Sequence, residues 1–471
     1  MLDYFCIKTY YFGIGFGKKG VTLQAKIRPE TNKKMKRTTI VTTLALLMVT
    51  LTEALAQKSI YIPNDLKQMN LLADTATWSY TRMTCTDNFA IMWQKGFGYD
   101  LSCPPQLEGK PMSVDMDNLK EKLESYYAFF RDTLQFTRPG SKAEKLRMMV
   151  MLNYSLEGTA YGGDYDGEIG ALWLAPNRVQ DKKLNCIAHE LGHSFQSQIT
   201  CDGEGEAWGG CGFFEMTSQW MLWQVNPDWV TDEKYHFDAF TKTGHKAFLH
   251  LENIYHSPYV LECWGEKHGK PFIAELFRNG KRGENPVMTY KRLTGINQAQ
   301  FCDEMFLNVR RMVNMDFPRA WRETRPYAEK FSTRLRTTAQ GWQRVEAECC
   351  PENYGFNVVK LDVPKAGATA KVKFRGITKA DGYVALNTDA AGWRYGLVGI
   401  DTAGNTVYGK ICSERTGTAT LKTPKDCQLR SLYLVVMGAP TRHWRNVDAW
   451  GPDGEEQTPQ PDAQWPYEIK Y

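Results

Sequence analysis

The chain reads as an α+β protein in three stretches, because its hydrophobic pattern changes period twice. From residue 58 to about 200, strand-length apolar runs are mixed with helical periods. From 213 to about 340 helical periods dominate, and beyond about 345 short alternating runs are separated by glycine and proline. Taken in order, Asp115 to Leu134 carries an amphipathic helical period that stops before Pro139-Gly140. Leu146 to Tyr154 is an apolar strand, and Gly170 to Ala175 (GALWLA) a second one, closed by Pro176. A helix begins at Asn185, which is placed as its N-cap. The middle stretch predicts helices over Met216–Val225, Tyr235–Leu251, Tyr259–His268, Pro271–Arg278 and Gln298–Asp316. In the last stretch, Asn357–Val363, Ala370–Phe374, Tyr395–Ile400, Thr418–Leu421 and Ser431–Val436 read as strands of a β-sandwich, ahead of a polar tail with a final aromatic strand-like segment. The expected boundaries are 57–212, 213–344 and 345–471.

The N-terminus is set aside from the fold. Met35-Lys36-Arg37 opens a basic segment, Thr39 to Leu51 is mostly apolar, and Ala54-Leu55-Ala56 supplies an A-x-A cleavage site before Gln57. This pattern predicts a signal peptide over 35–56, too short and threonine-rich for a membrane span, with 1–34 an untranslated upstream extension. Gly13, Gly15, Gly17 and Gly20 imitate a phosphate loop, but they lack the strand–turn–helix context of one, which excludes nucleotide binding. About 415 residues remain, enough for two or three domains. A formal charge of +5, with no basic run interleaved with aromatics, points away from nucleic acid and anionic membranes. The predicted location is exported: periplasmic, cell-surface or extracellular. Export permits disulfides, with Cys85–Cys103, Cys201–Cys211 and Cys412–Cys427 as local candidates, and no C-x-x-C pair offers a thiolate metal cage.

The chemistry concentrates in CIAHELGHSFQSQ. His189, Glu190 and His193 form HExxH, and two histidines four apart share one face of a helix, close enough to grip one metal ion. Ile187, Leu191 and Phe195 recur every four residues as an apolar stripe that turns the histidines away from the core. Gly192, unfavourable by about 1 kcal/mol in a helix interior, implies close approach of another backbone or a ligand. Catalytic zinc usually takes three protein ligands. Glu215, at the start of the apolar run GCGFFEMTSQWMLWQV, is the expected third, because a carboxylate among Phe213, Phe214, Met216 and Trp220 needs a partner or a metal. Glu204 and Glu206 compete from the glycine-rich loop, where a fixed ligand geometry is harder to hold.

An HExxH helix with a glutamate on the next helix resembles the gluzincin arrangement of thermolysin-like metallopeptidases. It is more similar to the enhancin-like, mucin-active gluzincins, whose first helix reads HELGHxxQ, and to secreted bacterial proteins of unknown function sharing GFxEMTSQWMLWQ. The resemblance is specific over about residues 185–225 and looser over roughly 75–340. It implies a zincin-like two-lobed catalytic unit, Zn2+ held by His189, His193 and Glu215, Glu190 as general base, and a protein or glycoprotein substrate. It also implies a strand ahead of the metal helix that pairs with extended substrate, for which Ala171–Ala175 is the candidate, the alternative being an interior strand. The chain departs from the thermolysin pattern in having Gln219, not an aspartate, four residues after Glu215. His250, Tyr255 and His256 are candidates for steadying an oxyanion. Trp393, Trp444, Trp450 and Trp465 would suit a glycan-binding face if exposed, and core packing if not. The rival reading is a catalytically weak or inactive secreted protein of zincin fold that binds glycans or a surface partner.

Overall fold

The computed structural model describes residues 57–471 except 159, 206–207, 209–211, 424–426 and 446–460. The signal peptide, the upstream extension, Glu206, Cys211 and Trp450 therefore lie outside the described residues. The protein is mixed α/β and divides into two units, one ending at Leu184 and lacking Ala128–Thr137, the other made of Ala128–Thr137 and Asn185–Tyr471.

The first unit is organised by one sheet of β1 (Ser59–Ile60), β2 (Met83–Cys85), β3 (Phe89–Trp93), β4 (Leu146–Leu152), β5 (Ala160–Tyr165) and β6 (Ile169–Leu174). Its order is β2-β3-β4-β6-β5, with β1 on β4. The parallel strands β3, β4 and β6 are buried almost throughout, which is why FAIMW, LRMMVML and IGALWL are continuous apolar runs. The strand expected to pair with substrate is thereby corrected. β6 is interior, with β4 on one side and antiparallel β5 on the other. The edge belongs to β5, whose AYGGDY carries too few apolar residues to read as a strand. Helix α1 (Met116–Asp132) crosses the division between the units.

The second unit opens with α2 (Asn185–Cys201), α3 (Phe213–Val225), α4 (Lys234–Thr243), α5 (Tyr259–His268), α6 (Phe272–Arg278), α7 (Pro286–Thr294) and α8 (Gln298–Val309). The HExxH helix α2 thus groups with α3 to α8 and not with the strands that precede it; Phe195 packs edge-on against Phe130 of the 128–137 segment. Helix α7 was not expected, although it carries both of its end signals: Asn285 accepts from Met288 N, Pro286 sits in the first turn, and Gly295 closes it in the left-handed region. Helix α4 stops eight residues before its expected end at Leu251. The carbonyls of Gly244 and His245 accept instead from the N–H groups of Phe356 and Glu352, so long-range pairing replaces the next helical turn. Among the described residues no helix is long and apolar enough to cross a membrane.

Two antiparallel sheets complete the unit. One runs β13-β10-β15-β8-β7 and the other β12-β11-β14-β9, from β7 (Leu335–Thr337), β8 (Gln343–Val345), β9 (Phe356–Leu361), β10 (Thr369–Gly376), β11 (Trp393–Asp401), β12 (Thr406–Tyr408), β13 (Thr416–Lys422), β14 (Leu429–Gly438) and β15 (Tyr467–Lys470). Both sheets feed one apolar core, in which Phe374 of β10 stacks on Tyr395 of β11 with ring centroids 3.9 Å apart. The outer face of β11 is covered in turn by α8, whose Phe306 reaches Gly396. Burial on both faces explains why β11 and β14 show no alternation. Trp393 and Trp465 are 1% and 0% exposed, so they are core residues and not a sugar-stacking face; Trp444 packs edge-on against Trp465. Cys103, Cys412 and Cys427 carry free thiols, so neither Cys85–Cys103 nor Cys412–Cys427 is bridged.

One charged cluster joins the helices to the sheets. Glu352, 5% exposed, accepts the Ala247 N–H at 2.8 Å, lies 3.5 Å from Lys246 Nζ and gathers with His250 and Asp462. Burial, reinforced by the charge of Asp462, pushes Glu352 up to about 7 against the partial offset of Lys246. Its folded pKa lies above its ordinary value of 4.5, so the proton it keeps stabilises the fold fully below that value and is lost as pH rises through 7. Glu352→Gln is expected to remove this dependence. Between pH 5 and 8 the wild type should lose up to about 3 kcal/mol more unfolding free energy than the variant, read from urea denaturation at both pH values. Parallel losses in the two proteins would mean that Glu352 is ionised throughout.

Candidate metal centre

The site is built by two helices that touch at a glycine. Along α2, Ile187, Leu191 and Phe195 are fully buried, as an apolar stripe requires. Gly192 is the close approach: a Cβ there would lie 2.9 Å from Ser218 Oγ and 3.2 Å from Ser218 Cα on α3. That contact brings the first turn of α3, with Glu215, over the histidine pair. Asn185 does not cap α2 through its side chain, which bonds Glu233 at 3.1 Å and Asn226 at 2.6 Å.

Three donor atoms converge. Glu215 Oε2 is 3.1 Å from His189 Nε2 and 3.0 Å from His193 Nε2, and the two Nε2 atoms are 3.2 Å apart. The outer ring nitrogens are occupied by amide oxygens: His189 Nδ1 faces Gln219 Oε1 at 2.8 Å, and His193 Nδ1 faces Gln196 Oε1 at 3.1 Å. The Gln196 amide nitrogen donates to Phe214 O at 3.0 Å and Ser218 Oγ at 3.1 Å, which fixes which end faces the histidine. With their protons on Nδ1, both histidines turn Nε2 lone pairs toward a carboxylate oxygen. Three acceptors at such distances repel unless a cation or protons lie between them. Zinc bonds of about 2.0–2.1 Å in a tetrahedron put neighbouring donors about 3.3 Å apart, so the spacing and the donor chemistry fit Zn2+.

The carboxylate and the imidazoles also shift one another's proton affinity. Burial would lift the Glu215 carboxyl, but hydrogen bonds and charge from His189 and His193 outweigh it and hold it far below the carboxylate range. Burial pulls His193 down, yet Glu215, with Glu190 behind it, holds it above the ordinary histidine value. Glu190 is partly buried, and its charge acts on both His193 and Tyr255. Among the three oxyanion candidates only Tyr255 reaches these donors. Its ring lies 6.0 Å from that of His189, and burial, then the charge of Glu215 and a hydrogen bond to it, push its hydroxyl up to about 12. His256 faces His236, Nδ1 to Nδ1 at 2.7 Å. His250 belongs to the Glu352 cluster, where its Nδ1 accepts the Glu252 N–H at 3.1 Å and Lys246 already supplies the cation. Glu204 is held by Arg278 Nε at 2.9 Å. Sequence reasoning noted Gln219 only as a missing aspartate and did not find His236; their roles depend on contacts between helices, which carry no local signal.

No curated protein matches the chain. Among solved structures it is similar to a ZmpB metallopeptidase from Clostridium perfringens, at 15% identity over 83% of this chain and 70% of that one, with a TM-score of 0.30. It is likewise similar to the M60 catalytic domain of Clostridium perfringens ZmpC, solved in complex with the sialyl T antigen, at 13% identity over 74% and 70% of the two chains, with a TM-score of 0.30. The family model matching residues 52–471 is that of a family of unknown function, DUF6055, and the chain belongs to that family.

Proposed function

We propose that this chain is an exported zinc-dependent metallopeptidase of the gluzincin kind, with His189, His193 and Glu215 holding the metal and Glu190 as general base. The observation that carries the reading is the convergence of two Nε2 atoms and one carboxylate oxygen within 3.2 Å of one another, each histidine held in the ligating tautomer by an amide oxygen. Zinc in such a site lowers the pKa of a bound water toward 7 and polarises a carbonyl. Glu190 takes the proton released as water attacks and passes it to the leaving amine. Tyr255, half-exposed beside Glu215, donates its hydroxyl hydrogen toward the oxygen on which charge develops. The substrate class, a peptide bond in a protein or glycoprotein, rests on the resemblance of the HELGH…GFFEMTSQWMLWQ run. We read the chain as a zincin-like catalytic unit followed by a C-terminal β-sandwich, the latter supported by two sheets that share one core.

Zinc content, measured by mass spectrometry on protein starting at Gln57, tests the reading. One zinc per chain in the wild type, lost or much weakened in Glu215→Ala, supports it and directs a screen toward glycoprotein hydrolysis. Zinc retained at full affinity in the variant would remove Glu215 from the ligand set. No zinc in either protein would leave the rival reading, a glycan- or partner-binding protein, in its place.

A further inference from the structure

Gln219 occupies the position where a carboxylate would give His189 a charged partner, and its amide is engaged at both ends. Oε1 lies 2.8 Å from His189 Nδ1. Nε2 lies 3.1 Å from the main-chain oxygen of Tyr255 and 3.0 Å from His236 Nε2. A peptide carbonyl can only accept, so the amide nitrogen must face Tyr255; turning the amide over would set two oxygens against each other.

That single carbonyl fixes a chain of proton positions. Gln219 Oε1 accepts the proton of His189 Nδ1, which leaves the Nε2 lone pair of His189 facing Glu215 and His193. The second amide hydrogen of Gln219 goes to the lone pair of His236 Nε2. His236 then carries its proton on Nδ1 and donates it to His256 Nδ1, 2.7 Å away. Glu233 Oε2 stands 3.4 Å from His236 Nε2 and is meanwhile satisfied by Trp229 Nε1 at 2.9 Å. Gln219 is 3% and His236 8% exposed, so water does not compete for these bonds.

We propose that Gln219 is a positioning residue for His189, a neutral amide locked by the Tyr255 carbonyl and by His236, and that His236 and His256 serve as its buttress. The proposal rests on the reading of His189, His193 and Glu215 as zinc ligands. It separates this centre from one buttressed by carboxylates. Both metal histidines here lean on amides, Gln219 and Gln196, so the donor set carries one formal negative charge, that of Glu215. An ion held there keeps more of its charge for polarising a carbonyl than it would beside a second carboxylate.

The experiment is zinc affinity by chelator competition, with the exchangeable Nδ1 proton of His189 followed by NMR in the zinc-loaded protein. Gln219→Met fills the same space without an acceptor; it should weaken zinc binding roughly 10- to 100-fold and erase the hydrogen-bonded Nδ1 signal. Gln219→Glu keeps an oxygen for His189 Nδ1 but sets a second oxygen, in place of the amide nitrogen, against the main-chain oxygen of Tyr255. This variant should therefore bind zinc more weakly than the wild type, and His236→Phe, which removes one of the two bonds to the amide nitrogen, should weaken binding less than Gln219→Met. Wild-type affinity in Gln219→Met overturns the proposal, and so does wild-type affinity in Gln219→Glu, which would mean that the Tyr255 carbonyl does not lock the amide. A wild-type chain that takes up no zinc overturns the metal-centre reading and this inference with it, whereas unchanged zinc binding in the Gln219 variants overturns the inference alone.

Discussion

Glu190→Gln is expected to lower kcat/KM by about 10² to 10⁴-fold while leaving one zinc per chain. The glutamine keeps the size and polarity of the glutamate but cannot take a proton at neutral pH. Glu190 is not one of the three converging donors, which are His189, His193 and Glu215, so its loss does not remove a ligand. Its charge does act on His193 and Tyr255, and neutralising it should let the pKa of both groups fall modestly. The comparison is steady-state hydrolysis of a glycoprotein substrate by the two proteins, with metal content measured on the same samples. Loss of zinc along with activity would assign Glu190 a structural part in the site. Undiminished hydrolysis would exclude it as the base.

The parts of this site that were legible in the sequence are those set by local spacing. His189 and His193 must share a face because a helix repeats every 3.6 residues, and Gly192 between them announced the contact that Ser218 makes. Strands β4 and β6 were legible because strands buried on both faces are continuous apolar runs. What failed was everything decided by a distant partner. Helix α4 ends where Phe356 and Glu352 capture the carbonyls of Gly244 and His245, the two residues after it, from more than a hundred residues along the chain. For Trp393 and Trp465 the sequence left a glycan-binding face and core packing both open, and their burial, which decides for the core, depends on contacts such as that of Trp393 with the distant strand β14. β6 could be taken for an edge only because β5, with Gly162 and Gly163 at its centre, has no strand signature. The buttress of His189 was hidden for the same reason: Gln219, His236 and the Tyr255 carbonyl come from three separate segments.

Glu468→Ala is expected to destabilise the second unit by about 3–5 kcal/mol, because it opens a buried ion cluster. Glu468 is 1% exposed and sits on β15 directly opposite Arg344 of β8 on one side and Arg375 of β10 on the other. It accepts from Arg344 Nε at 2.8 Å, Arg375 Nε at 2.5 Å and Thr338 Oγ1 at 3.0 Å. Burial alone would raise its pKa, but the two arginines and the threonine outweigh burial and lower it. That shift has a sign: the folded pKa lies below the unfolded one, so the stabilisation is present above pH 4.5 and is lost as pH falls through the folded value. Removing the carboxylate leaves two guanidinium groups facing one another across the central strand of a five-stranded sheet, with like charge where opposite charge had paired. Both arginines are partly exposed, at 26% and 42%, which favours the lower end of the range, since water can reach their outer nitrogens. Urea denaturation of wild type and variant at pH 7, repeated at pH 4, measures the effect. The difference should shrink at the lower pH, where protonation begins to weaken the wild-type cluster too. A loss below about 1 kcal/mol at pH 7 would mean that the arginines exchange Glu468 for water at little cost, and that β15 is held by its backbone ladder and by the apolar burial of Tyr467 and Ile469.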